Sequence, residues 1–343
     1  MPPHIKTIVI CLMLCGSAFC DDNVSKVARW EFSEAHMGTR FRIALYASDR
    51  ATANEASTAA YAKIAMLNRL LSDYDSDSEV RRLCRESGPK RPIQVSRHLF
   101  DVLIASQELA RQSDGALDVT VGPYVTLWRK ARRLKRLPTN EQLDQARRHV
   151  GHEKVVLDKA SRSVTLQDNQ MRIDLGAIAK GYATDVALQE LGRHGIKSAL
   201  VDAGGDIVCS DSPPNKAGWV IAVGKATATN KDDRTLLQIS NTAVATSGDQ
   251  FQFLEVDGKR YSHIVDPKTG MGLTSHRNVT VIAPSGMIAD GLASAISVMG
   301  KPGFKLLPKY SAAALIVEAD GALREESSSF GEHRYSDYSR AKR

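Results

Sequence analysis

Residues 261–294 read YSHIVDPKTGMGLTSHRNVTVIAPSGMIADGLAS, and the rest of the chain is organised around this stretch. It places a histidine, a carboxylate in a Pro-Gly turn, a short strand and an acidic helix start within one supersecondary unit. Pro267 fixes φ and Gly270 permits positive φ, so Asp266-Pro267-Lys268-Thr269-Gly270 forms a tight turn just after His263. Val279 to Ala283 is an apolar, β-branched run that predicts a buried strand. Asp290 opens a helical pattern with Leu292, Ile296 and Met299 apolar, and Ser294 falls one turn later on the same face. Two hard oxygen ligands one turn apart, near a turn carrying a histidine, suit Mg2+ or Ca2+ better than zinc. A helix cap at Asp290 and a structural role for His263 account for the same residues without a metal.

Working outward, the order of elements is mixed rather than a strict strand–helix alternation, which predicts an α+β fold with antiparallel pairing. Glu34 to Tyr46 reads as a turn at Met37-Gly38-Thr39 running into a strand. Ala60, Ile64, Leu67 and Leu71 mark one helix face, followed by a polar loop from Ser72 to Glu79. Ser96 caps a helix with Leu99, Val102, Leu103 and Ala110 inside, and Thr139 with Gln142 makes a capping box for another running to Val150. Val155–Asp158, Ser163–Leu166, Trp219–Val223, Leu236–Ser240 and Ala313–Glu318 are strands, while Val244 to Asp249 reads as a small-residue turn.

Ile173 to Leu191, IDLGAIAKGYATDVALQEL, reads as a strand end yielding at Gly176 to a helix. A helix start beside Lys180 is a natural anion site, although the spacing is neither a P-loop nor GxGxxG. Ser198–Asp202 and Ile207–Cys209 bracket Ala203-Gly204-Gly205-Asp206 as a hairpin.

Composition narrows the function classes. The 343 residues are 43% apolar and 25% charged, an ordinary globular balance that supplies a core and excludes wholesale disorder. The formal charge is +7, and much of the excess lies at Arg129, Lys130, Arg132, Arg133, Lys135 and Arg136. Without aromatic interleaving beyond Trp128, that run reads as a solvated face and not a nucleic-acid footprint. Ile8 to Leu14 is an apolar run too short to span a bilayer, with small residues before Phe19 or Asp21, so residues 1–20 read as a cleaved export leader. Three of the five cysteines lie in it; only Cys84 and Cys209 remain, and their pairing is open. From Glu325 onward the chain turns Ser- and charge-rich and reads as a mobile tail over 326–343, leaving one domain over 30–325.

The turns then align with a known family. The chain resembles the ApbE-type FAD:protein FMN transferases through MGTRF at Met37, LSDYDSDSEV at Leu71, GALDVTVGPYVTLW at Gly115 and IDLGAIAKGYATD at Ile173. The series continues with VDAGGDI at Val201, ATSGD at Ala245, HIVDPKTG at His263 and ADGLAS at Ala289, in the family's order. The resemblance implies a single T-fold-like domain that binds FAD and Mg2+ and transfers FMN to a Ser or Thr of another exported protein, releasing AMP. On the matching positions it implies FAD contacts at Met37, Tyr74, Ala116, Leu117, Asp118, Asp174, Lys180 and Ile264. It further implies metal contacts at Ala177, through a backbone carbonyl, and at Asp290 and Ser294, with His263 as general base. The family usually has Thr at Ser294 and Gly-Gly at Gly176-Ala177. Hydrolysis of FAD to FMN and AMP, or FAD binding without turnover, are the alternatives for the same residues. The implied location is exported and periplasmic, near a membrane where the acceptor is membrane-bound, with no nucleic-acid partner.

Overall fold

Two consecutive left-handed residues, Met37 at φ 48° and Gly38 at φ 72°, turn β1 (Ala28–His36) back onto β2 (Thr39–Ala47). Positive φ at both central positions is the geometry whose twist matches paired strands. A computed structural model of the chain describes residues 27–223, 235–248, 252–318 and 324–335. The leader at 1–20, Asp249 and residues 336–343 lie outside the described residues.

The next segment is mainly helical. Asp49 caps α1 (Arg50–Leu71), and Ser78 caps the short α2 (Glu79–Glu86), which starts where the expected polar loop ends and was not itself expected. Then come β3 (Ile93–Gln94), α3 (Arg97–Gln112) capped by Ser96, α4 (Gly122–Leu134) and α5 (Asn140–Arg147). The Thr139/Gln142 capping box is present, but α5 stops at Arg147 and not at Val150. The basic run thus spans the second half of α4 and the two residues after it, Lys135 and Arg136. Next come β4 (Val155–Asp158), β5 (Ser163–Leu166), α6 (Ala179–Arg193), β6 (Ala199–Asp202) and β7 (Asp206–Cys209). No strand precedes Gly176; Arg172 makes only an isolated bridge to Val121, and Ile173 and Leu175 are simply buried.

The last third is mostly strand: β8 (Trp219–Val223), β9 (Thr235–Ile239), β10 (Thr242–Ser247), β11 (Phe253–Val256), β12 (Lys259–Ser262) and β13 (Arg277–Ala283). After α7 (Gly286–Met299) follow β14 (Ala313–Glu318) and β15 (Arg324–Glu326). Val244 to Ser247, read as a turn, is instead a central strand. Ala243, Val244 and Ala245 are buried there, and β10 packs against α7, where small side chains allow close approach.

The main sheet has the order β1-β2-β6-β7-β10-β13-β14-β15 and every pairing in it is antiparallel, as the α+β reading expected. Both faces are covered. Ile43, Ala245, Val279, Val281 and Ile316 face the main core, which includes α1, α3, α6 and α7. Their sequence neighbours Ala44, Val244, Ile282 and Leu315 pack with Trp219, Ile221, Leu237 and Phe330 on the other side. The period-2 alternation of a strand thus serves two cores at once. Phe330 is fully buried against β9 and β14, so residues 327–335 are part of the fold and not of a mobile tail. Cys84 and Cys209 are buried and unpaired. No helix among the described residues is long and apolar enough to cross a membrane.

A third, smaller core positions His263. Tyr124 and Trp128 of α4, Leu143 and Ala146 of α5, and Leu254 and Tyr261 of the β11–β12 hairpin cluster around Val265. The Trp128 indole donates to the Gly270 carbonyl at 2.8 Å. A side chain at Gly270 (φ 75°) would begin 2.5 Å from the Tyr124 ring, so the turn that follows His263 is pressed against α4.

Candidate functional site

α6 and α7 meet where neither has a side chain. A Cβ on Gly181 would lie 2.1 Å from the Gly286 carbonyl oxygen, and one on Gly286 would lie 2.5 Å from that of Gly181. The two helices run in opposite directions at this crossing, and each caps the other. Asp185 of α6 accepts from the Gly286 and Met287 N–H groups at 2.6 and 2.9 Å. Asp290 of α7 accepts from the Gly181 N–H at 3.1 Å. The first turn of α6 has no side-chain cap of its own, so Asp290 supplies an acceptor for it across the interface.

Asp290 is therefore not at a helix start. Ser285 caps α7 and Gly286 is its first residue, which puts Asp290 in the second turn, 5% exposed. The local-cap reading fails because the N–H it serves belongs to another helix.

Lys180 is not an unpaired anion-binding group. Its Nζ donates to the Asp206 carboxylate and lies 3.9 Å from that of Asp290. Burial alone would lower its pKa, but Asp206 and then Asp290 outweigh that and hold the ammonium well above its usual range. Burial, then the Asp290 charge, pushes Asp206 up to about 7. Burial also raises Asp290, against Lys180 and the Gly181 N–H. Two buried carboxylates thus share one lysine, which leaves a negative excess suited to a hard cation. No group of three or more His, Cys, Asp or Glu among the described residues makes a metal cage. That set fits Mg2+ in its usual role, held by one or two carboxylates with substrate phosphate and water completing the shell. Ser294 follows Asp290 by one turn and is half-buried; Ala177 lies in the loop just before α6.

A second polar cluster surrounds Asp174. Its Oδ1 accepts from the Gly176 N–H at 2.9 Å and its Oδ2 from Arg129 at 3.2 Å. Arg129 also pairs with Asp73 at 2.6 Å and lies 3.9 Å over the ring of Tyr74. Burial, then the Asp73 charge, lifts Asp174 to about 6. Tyr74 is 75% exposed, a large aromatic ring presented to solvent over a guanidinium.

The remaining expected contacts divide. Met37 sits in the left-handed β1–β2 turn; Thr39, two residues on, meets the β6–β7 turn, where a Cβ on Gly204 would lie 2.4 Å from its hydroxyl. Asp118 is committed internally: Oδ1 accepts from Thr120 N–H and hydroxyl at 2.8 and 2.6 Å, and Oδ2 from the His152 N–H at 2.9 Å. Burial raises its pKa against those bonds. Ala116 and Leu117 beside it are buried. Ile264 is half-buried and donates its N–H to the Ser262 hydroxyl at 3.0 Å. The His263 ring Nδ1 lies 3.1 Å from the Gln252 carbonyl, which also accepts the His263 backbone N–H. A Nδ1–H donated to that carbonyl leaves Nε2 as the proton-accepting nitrogen.

Asp206, Arg129, Asp73 and Asp185 are site residues that the sequence did not single out. For Arg129 the available signal was its position in α4, which puts it on the inner side of the basic run.

A buried Lys–Asp–Asp cluster thus lies at a helix crossing, and a separate exposed ring lies over an arginine. The ApbE family model matches residues 37–316, and the chain belongs to that family. It is 32% identical over 340 residues to the FAD:protein FMN transferase of Haemophilus influenzae, covering 96% of this chain and 97% of that one. It superposes on the flavin transferase ApbE of Vibrio cholerae with a TM-score of 0.81 at 30% identity, over 90% of this chain and all of that one. The ApbE protein of Thermotoga maritima gives a TM-score of 0.81 at 31% identity over the same share of this chain.

Proposed function

We propose that this chain is a FAD:protein FMN transferase, moving FMN from FAD to a Ser or Thr hydroxyl of an acceptor protein and releasing AMP. The observation that carries the reading is the Lys180–Asp206–Asp290 cluster at the α6–α7 crossing, within a family whose named relatives carry this activity. The acceptor oxygen attacks the phosphorus next to riboflavin, the O–P bond forms, and the bridging P–O bond breaks with its electron pair leaving on AMP. His263 takes the hydroxyl proton at Nε2. Lys180 lies where it can offset charge on a pyrophosphate, while Asp206 fixes its position. Asp290, Ser294 and the Ala177 carbonyl would hold Mg2+, which when bound neutralises charge on the non-bridging oxygens. Tyr74, backed by Arg129, offers a face for a planar ring.

The reading includes export to the periplasm, supported by the apolar run Ile8–Leu14 and the small residues after it. Incubation with FAD and Mg2+, with and without an acceptor protein, tests the activity by in-gel flavin fluorescence and intact mass. The expected result is an acceptor heavier by one FMN residue with stoichiometric AMP. AMP and free FMN released equally with and without acceptor would make the enzyme a FAD hydrolase.

A further inference from the structure

α4 carries more positive charge than its helix needs. Arg129, Lys130, Arg132, Arg133, Lys135 and Arg136 put six cations and no carboxylate into eight residues. Arg132 and Arg133 fall in the last turn, where cations complement the helix dipole. Arg129 is spent on Asp73 and Asp174. Lys130, Lys135 and Arg136 are left without such a use. Together with Arg133 they are exposed and pair with no acidic side chain among the described residues. The nearest acids along the chain, Glu141 and Asp144 of α5, do not neutralise them, and Asp144 pairs with Arg147 at 2.9 Å.

The same surface has an apolar component. A shallow groove between the end of α4 and the start of α5 is lined by Leu127, Lys130, Leu134, Arg136, Leu137 and Pro138. Leu134 is 44% exposed, one of few large apolar side chains so placed.

This surface is continuous with His263. Arg132 donates to the Gln252 side-chain oxygen at 3.4 Å, and the backbone carbonyl of Gln252 accepts from His263. Lys135, in the left-handed conformation at φ 50°, ends α4, and Arg136 follows it. The basic end of α4 is thus tied to the His263 segment through Gln252.

We propose that the α4 face docks the acceptor protein through an acidic segment carrying an apolar residue, which packs over the exposed Leu134. This rests on the reading that a protein is the flavin acceptor and names the chemistry that recognises it. Exposed cations around a small apolar patch favour such a segment by attraction over a Debye length of about 8 Å and by desolvating the leucine.

The test is a binding measurement on the full chain that needs no turnover. Two fluorescein-labelled peptides of equal length carry a central threonine and a leucine. One is flanked by Asp and Glu, the other by Asn and Gln. Anisotropy titration of the wild type is expected to show at least ten-fold tighter binding of the acidic peptide. In K130Q/R133Q/K135Q/R136Q the preference should fall below three-fold. In K159Q/R162Q/K197Q/K216Q, which removes the same charge from exposed positions elsewhere, it should persist. Melting temperatures of both variants establish that they fold. Equal binding of the two peptides, equal loss of preference in both variants, or a preference that survives in the first would overturn the proposal. So would tighter binding of a single-stranded oligonucleotide or of anionic phospholipid vesicles than of the acidic peptide. Failure of the acceptor reading itself appears separately, as FAD turnover that leaves no protein-bound flavin.

Discussion

Gly181→Ala should be one of the costliest single methyl additions in this protein. The new Cβ would sit 2.1 Å from the Gly286 carbonyl oxygen and 2.8 Å from the Asp290 Cβ, both parts of a packed helix. Reaching ordinary contact requires α6 and α7 to part by roughly 1 Å or more. That stretches the Gly181–Asp290 bond, now 3.1 Å, and strains the two bonds from Asp185. Overpacking costs about 1–3 kcal/mol, and losing one charge-assisted bond adds about 1.5–3. Against this, Ala gains about 1 kcal/mol over Gly in helix propensity. The net is a loss of about 2–5 kcal/mol. Gly192, in the last turn of the same helix, has nothing within 4 Å of its Cβ position, so Gly192→Ala keeps the propensity gain without the clash. Urea unfolding should therefore show destabilisation in Gly181→Ala and neutrality or a gain of up to about 1 kcal/mol in Gly192→Ala. If the two variants shift alike, the close crossing is not what fixes Asp290, and the description of the site collapses with it.

Asp290→Asn removes a charge from the candidate cation site and should raise the half-saturating Mg2+ concentration on the order of ten-fold, read from activity titrations; an unchanged value leaves Asp290 as a cap for α6 only. Asp185 is half-buried, and desolvation holds it up to about 6 although two N–H groups oppose the shift. The folded state then binds the extra proton between about pH 4 and 6, so its stabilising share is present below that window and lost as pH rises through it. The stability of wild type relative to Asp185→Asn should fall by about 2 kcal/mol between pH 4 and 7.5 in urea titrations, and a constant or rising difference would reverse the assignment. Burial raises the Cys84 thiol and pushes that of Cys209 up to about 11. A chain lacking residues 1–20 should show no thiol reactive with an aromatic disulfide at pH 8 until denatured, and two afterwards.

Much of this arrangement is written locally. β4, β5 and β14 fall where alternation and β-branching put them, and the caps at Ser96 and Thr139 are legible from residue type and spacing. β10 was not, because Ala243 and Ala245 have weak strand propensity and become strand only under α7. α4 was hidden by its charge, whereas its inner face of Tyr124, Trp128 and Ala131 is what holds the His263 turn. The site is less local still. Asp290 serves an N–H 109 residues away, and Lys180 finds Asp206 26 residues on. Motif order could place the first pair in one family. Only the crossing of Gly181 with Gly286 shows why they touch.

His263→Ala, assayed for FAD affinity by fluorescence quenching and for acceptor flavinylation by intact mass, tests the account most directly. On the proposed reading, Asp290, Lys180 and the Tyr74 face hold FAD, and His263 takes the acceptor proton. FAD affinity should stay near the wild-type value while transfer slows by about 10²–10⁴-fold. An unchanged transfer rate, or an affinity that falls in step with the rate, would contradict it.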